Sequence, residues 1–403
     1  MTVPTVERPP FYILPVIIIS QFAGTSLWFA SNAVLPDLQR AWNLPADAVG
    51  YLTSSVQLGF IAGTLLFAFF TIADRWSPRK IFFVCSVSGG LCNLLIYLCA
   101  SGFSDLLLLR FLVGFSLAGI YPIGMKIASG WYKEGLGSAL GFLVGALVLG
   151  TSFPHLVRSV VEEVHWESVT LAVSMIASMG GLLMLLLVPD GPYLTKGMPF
   201  NPKALAIIFR SRELRAAASG YFGHMWELYT FYAFIPIVLS AYAVARMDGS
   251  LNISLWSFMI IAAGSVGCAA GGIISKRIGS AKVAWAQLVC SGALCVISPL
   301  LFQFSPAVTL GLFVVWGVVV VGDSPQFSAL IARYAPRELV GSALTIGNSI
   351  GFAITIVSIQ FVTYLSHFIE PQYIFSLLTI GPVLGLVAFR PLIARPRSEA
   401  RSL

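Results

Sequence analysis

The sequence predicts an all-α polytopic membrane protein whose twelve transmembrane helices form two pseudo-symmetric six-helix bundles, and three observations predict it. Of 403 residues, 57% are hydrophobic and 10% charged, against about 25% charged in an ordinary soluble domain. Low-charge apolar runs recur twelve times, most near the roughly 20 residues that cross a bilayer core. A polar, proline-rich stretch interrupts the series once, between the sixth and seventh runs.

The runs, spans 1 to 12, cover 12–35, 47–70, 81–101, 106–129, 136–157, 168–188, 214–243, 253–275, 282–303, 307–332, 340–366 and 372–391. Spans 7 and 11 are long enough to tilt or to run past the bilayer. Residues 189–213 carry Pro189, Asp190, Gly191, Pro192, Pro199 and Pro202 with a basic cluster. They read as a cytoplasmic linker between an N-terminal bundle, 1–188, and a C-terminal bundle with its tail, 214–403. Six spans on either side suit a duplicated bundle that rocks about a site at the bilayer midplane. The opening Met1–Pro10 contains Glu7 and Arg8 and has no cleavage pattern, so no cleaved signal peptide is expected.

The net charge of +7 is sorted rather than spread. With the N-terminus inside, the cytoplasmic set is Arg8, Arg75, Arg79, Lys80, Lys133, Lys196, Lys203, Arg210, Arg212, Arg215, Lys276, Arg277, Lys282, Arg333, Arg337, Arg390, Arg395, Arg397 and Arg401. The outer connections hold Arg40 and Arg246, so the positive-inside rule puts both termini in the cytoplasm. The same sorting accounts for the basic charge without a nucleic-acid partner. Six cysteines fall inside spans and form no C-x-x-C pair; they read as buried free thiols. No metal-ligand helix, P-loop, nucleophile elbow or haem motif is present, so neither ATP-driven pumping nor membrane-enzyme chemistry is predicted, and no cofactor or metal.

Polar residues at bilayer depth are functional candidates because lipid makes them expensive. In span 1, Gln21, Thr25, Trp28 and Asn32 fall within about 40° on a 3.6-residue helix, a stripe that lines a path or packs helices through hydrogen bonds. Spans 2, 5, 8 and 11 carry the small-xxx-small pairs Gly59/Gly63, Gly141/Gly145, Gly267/Gly271 and Gly347/Gly351, which let helix backbones approach closely. Span 4 puts Arg110, Gly114 and Tyr121 on one face, and near its inner end Lys126 is a snorkelling anchor or a substrate-facing cation. Span 5 offers His155 and Arg158, three residues apart.

Only two acids lie well inside spans, Glu227 in span 7 and Asp323 in span 10. His224 and Glu227 are three residues apart, about 60° around the helix, so they can share a face and form a proton-binding pair; Tyr221 stands one turn earlier. A fixed ion pair to another helix and direct substrate ligation are the other readings of Glu227. Asp323 precedes Pro325, whose missing N–H frees a carbonyl and kinks the helix, so Asp323 meets either substrate or that irregular backbone. Asn348 adds a polar group in span 11.

Several motifs carry a resemblance. After span 2 stands Ala73-Asp74-Arg75-Trp76-Ser77-Pro78-Arg79-Lys80, and after span 8 a degenerate copy, Gly272-Ile273-Ile274-Ser275-Lys276-Arg277-Ile278-Gly279. Span 4 opens with Arg110-Phe111-Leu112-Val113-Gly114, and span 5 holds Gly141, Gly145 and Gly150-Thr151-Ser152-Phe153-Pro154. The first loop resembles the signature loop of the major facilitator superfamily, with Phe70 and Ser77 at its two glycine positions. The others resemble the family's R-x-x-x-G motif and a loose form of its Gly/Pro-rich motif. The resemblance covers the whole chain in length and span count and does not reach a substrate subfamily. It implies the major facilitator fold, a gating role for Asp74, Arg75 and Arg79, and a role for Arg110 in protonation or gating. An ionised Asp74 near the start of span 11, where Pro336 begins a first turn and free N–H groups carry partial positive charge, would lock the cytoplasmic side.

The sequence therefore leads to a proton-coupled secondary transporter in the bacterial cytoplasmic membrane, working as a monomer by alternating access. Its partners are protons, a small solute and the lipid bilayer. The expected site lies between the halves, built from spans 1, 4, 5, 7, 10 and 11. Arg110, Lys126 and Arg158 set against Glu227 and Asp323 would leave one positive charge, a lean toward an anionic or zwitterionic solute. The alternatives are a facilitative uniporter, a drug or metabolite exporter, and a transporter-like receptor that binds a solute without moving it.

Overall fold

The computed structural model describes residues 9–132, 136–160, 165–194, 199–247 and 249–393. Glu7, Arg8, Lys133, Lys196, Arg395, Arg397 and Arg401 lie outside the described residues. Among the described residues every regular element is helical, and eleven helices are long and apolar enough to cross a membrane. The remaining span begins with a shorter apolar helix, Ile13–Thr25.

The observed helices follow the predicted runs, with breaks that hydropathy does not register. Spans 2, 3, 5 and 6 are Ala48–Phe69, Pro78–Leu98, Leu136–Val160 and Trp166–Leu187. Spans 7 and 8 are Arg212–Arg246 and Ile253–Ile278. Span 9 is Ser280–Ile297 with the 3₁₀ turn Ser298–Gln303. Span 11 is Val340–Leu365 after a 3₁₀ turn at Arg337–Leu339, and span 12 runs through the 3₁₀ segment Pro371–Thr379 into Ile380–Ile393. Spans 1, 4 and 10 are interrupted: Ile13–Thr25 then Ala30–Ala33, Phe103–Leu117 then Tyr121–Trp131, and Pro306–Gly322 then Ser324–Tyr334.

Each interruption has a local cause. Proline lacks the N–H that would bond four residues back, so Pro122 releases the Ala118 carbonyl and Pro325 that of Val321. The Val321 oxygen is taken instead by the Cys268 thiol of span 8, 3.6 Å away. In span 1 the agent is polar. Thr25 Oγ1 donates to Gln21 O at 2.8 Å and Ser26 Oγ to Ala23 O at 2.7 Å, back-bonding that bends helices. The Arg110 guanidinium then takes the Leu27 and Trp28 carbonyls.

Close backbone approach recurs among the helices, as between Gly223 of span 7 and Gly381 O of span 12, 2.4 Å from an added Cβ, and two such contacts fall in matching places. A Cβ on Gly59 would lie 1.9 Å from Phe111 O and one on Gly114 2.0 Å from Val56 O, so spans 2 and 4 touch backbone to backbone. Gly267 and Gly317 do the same for spans 8 and 10, each 1.8 Å from a carbonyl of the other helix. The pair expected in span 5 does not behave this way: nothing lies within 4 Å of a Cβ on Gly141, and Gly145 meets Ser265 O at 3.6 Å. The halves join through spans 2 and 11 and spans 5 and 8. Gln360 Nε2 donates to Ser54 Oγ at 2.8 Å, Asn252 Nδ2 to Ser159 O at 3.3 Å, and Lys276 Nζ to Ser138 Oγ at 2.8 Å.

Among the described residues of 189–213 there is one short helix, Lys203–Arg210, which buries Ala204 and Ile208. Ser211 caps span 7 by accepting from Leu214 N, so Arg212 and Glu213, read as linker, belong to the helix. All six cysteines are free; Cys85, Cys268 and Cys295 are buried as expected, whereas Cys99 and Cys290 are exposed.

Candidate transport site

Aromatic rings from both halves meet where span 1 breaks. The Trp28 indole stacks on Tyr229 and on Phe352, each 5.6 Å between centroids, and Phe60 lies 4.5 Å from Phe352. Phe29 meets Tyr232 edge to face at 6.2 Å. Spans 1 and 2 thus face spans 7 and 11 through an apolar barrier of large, rigid rings.

On the side of this barrier away from the basic loops lies a cavity of about 910 Å³, lined by Asn32, His155 and Arg158 of the N-terminal half and by Pro236, Ile237 and Phe302 of the other. Asn32 Nδ2 donates to Thr53 Oγ1 at 2.8 Å. Arg158 pairs with Asp37 at 2.5 Å and donates to Ala33 O at 2.8 Å.

On the other side, along spans 7 and 10, sit the predicted titratable groups. His224 Nδ1 lies 2.8 Å from Asp323 Oδ1, and both residues are 1% exposed. The Tyr221 and Phe327 rings flank the imidazole at 5.9 and 6.1 Å. One turn further, Glu227 is equally buried, and three donors converge on its Oε1: Ser291 Oγ, Trp316 Nε1 at 2.9 Å and Cys295 Sγ at 3.4 Å. The expected His224–Glu227 pair is therefore corrected. The two side chains share a helix face, but each finds a nearer partner: His224 the acid exposed by the span 10 break, Glu227 the hydroxyl and indole of spans 9 and 10.

Other expectations change in the same way. The span 1 stripe is not one face of one helix, because the break separates Gln21 and Thr25 from Trp28 and Asn32. Gln21 is fully buried and its amide lies over Gly124 of span 4, where an added Cβ would lie 1.9 Å from Gln21 Oε1 and push the amide aside. Arg110 does not snorkel; it is fully buried and braces the break. Lys126 is neither a substrate cation nor a free anchor, since its ammonium pairs with Asp74 and donates to Ala73 O at 2.7 Å. Asp74 thus forms this ion pair inside its own half. Arg79 donates to Leu185 O at 3.3 Å at the end of span 6, and Arg75 is exposed. Tyr121 and Asn348 are half-buried, on the second helix of span 4 and on span 11. With Arg110, Lys126 and Arg158 all engaged, the charge sum that favoured an anionic solute loses its premise.

Sequence reasoning missed Ser291, Trp316, Asp37, Thr53 and the rings of Phe60 and Phe352. One signal was available: Ser291 and Cys295 are four apart in span 9, so both reach the same neighbour.

Comparison with known families agrees with this architecture. The model described as Major Facilitator Superfamily matches residues 17–359. A search for curated relatives finds no match. The match spans most of the chain and both sets of helices, and the chain is an integral membrane transporter belonging to the major facilitator superfamily.

Proposed function

We propose that the protein is a proton-coupled secondary transporter that moves a small solute across the bacterial cytoplasmic membrane by alternating access. In this reading both termini are cytoplasmic and a single chain suffices. The rocking units are 1–188 and 214–403, joined by the linker 189–213. One observation carries it: His224, Glu227 and Asp323 are buried at mid-depth, and among the described residues none forms an ion pair with lysine or arginine. An isolated carboxylate in such a place is costly, and a bound proton removes the cost. At Glu227 three hydrogen-bond donors offset part of the cost of ionisation, so the proton can leave as well as arrive. His224 and Asp323 share a second proton across the span 10 break. The aromatic barrier supplies the closed gate that alternating access requires on one side of the path.

The solute crosses near Tyr121, Tyr221 and Asn348, between the barrier and the basic loops, where Tyr121 and Asn348 keep part of their surface accessible. The test is a pH-sensitive dye trapped in proteoliposomes challenged with a library of small solutes. A solute-evoked pH change in the wild type, lost in Glu227→Gln, is the expected result. Solute flux with no pH change points to a uniporter, and binding with neither points to a receptor; either overturns the proposal.

A further inference from the structure

The cavity beyond the aromatic barrier is two-sided. Its C-terminal wall carries an apolar patch, Pro236, Ile237 and Phe302, beside Ser240 and Ser254, while spans 1 and 5 contribute Asn32, His155 and Arg158. His155 is 1% exposed and Asn32 7%, and among the described residues neither His155 Nε2 nor Asn32 Oδ1 has a hydrogen-bond partner. Buried polar atoms left in this state cost stability, and both belong to side chains that line the cavity, so a small rotation of each side chain would offer them to a ligand's polar groups.

The charges around them are already matched. Asp37 is shared by Arg158 and Arg40, and Glu370 at the mouth accepts from Gln372 Nε2 at 2.6 Å. Two arginines and two acids therefore leave no net charge for an ionic ligand to meet, and an ion would give up hydration for little return.

We infer that this cavity is a vestibule binding site for a neutral amphipathic molecule, whose hydrogen-bonding head engages His155 Nε2 and Asn32 Oδ1 while its apolar body lies on Pro236, Ile237 and Phe302. The ring barrier separates it from the mid-depth site, so it does not depend on proton coupling.

Three probes that differ only in the head group decide the matter: 4-phenylbutanamide, 4-phenylbutanoate and 4-phenylbutylammonium, each titrated against thermal unfolding of the purified full chain in detergent. Ligands of the folded state raise its apparent stability. The amide is expected to bind about tenfold more tightly than either ion, on the order of one or two hydrogen bonds. His155→Phe should abolish that advantage and leave the ions unchanged. An ion that equals or exceeds the amide overturns the inference. The ranking in the wild type stands even if the variant fails to fold. Proteoliposome flux keeps the two proposals apart: amide binding without flux of any solute defeats the transporter reading alone, and flux with no preference for the amide defeats the vestibule alone.

Discussion

Glu227 is held by three donors on one oxygen, and among the described residues no lysine or arginine pairs with it. If it exchanges protons, an infrared difference spectrum between acidic and alkaline samples should contain a protonated-carboxyl band that disappears in Glu227→Gln; an unchanged spectrum would remove Glu227 from the proton path. The donors are also structural. Trp316→Phe deletes an indole N–H that serves both Glu227 at 2.9 Å and Ser291 at 3.2 Å, and losing one partner of a buried charged acceptor costs about 1–3 kcal/mol, to be read as a lowered unfolding temperature in detergent. The acid itself was legible in the sequence because a carboxylate at bilayer depth has few bland explanations. Its partners were not, since Ser291 and Trp316 lie 64 and 89 residues away and look like ordinary span residues. The same blindness produced the His224–Glu227 pairing: helical spacing shows which groups can meet, while the neighbouring helices decide which do.

At the scale of the helix, hydropathy located the spans and Pro325 marked the break in span 10, while Pro122, an equal signal for the break in span 4, went unread. The break in span 1 was not read because a threonine and a serine in a span are commonplace, although Thr25 and Ser26 bend the helix by back-bonding. The break is held by Arg110, which reaches across from span 4 to the Leu27 and Trp28 carbonyls. Arg110→Leu should therefore strand two buried carbonyls and destabilise the protein by about 2–5 kcal/mol, enough to lose most folded material from membranes; normal yield and melting would show that the break holds itself. The glycines invite a paired measurement. Gly317→Val would force a side chain into the Ile260 carbonyl, 1.8 Å from the first added carbon, and should abolish stable expression. Gly141→Ala meets open space and should be neutral or stabilising by roughly 0.5–1 kcal/mol through helix propensity. Gly141 belongs to a conspicuous small-xxx-small pair and Gly317 to none, so the motif pointed away from the tighter contact, because only the neighbour's position decides it.

Across the whole molecule, duplication shows less in matched letters than in matched mechanics. Spans 4 and 10 are both broken by a proline, and each presses its glycine onto the helix two places before it in the chain. The halves meet between spans 2 and 11, where Ser54 and Gln360 are in contact. Cysteines at those two positions, oxidised to a disulfide, should stop solute movement, and a reductant should restore it; undiminished flux in the cross-linked protein would mean that the halves do not part there. Trp28 adds a consequence of its own. Its carbonyl is gripped by the guanidinium of span 4 while its indole is wedged against the opposite half. One residue is thus fastened at both ends, like a linchpin, and a tug on span 4 passes through the hydrogen bond and the rigid frame of Trp28 to the seam between the halves.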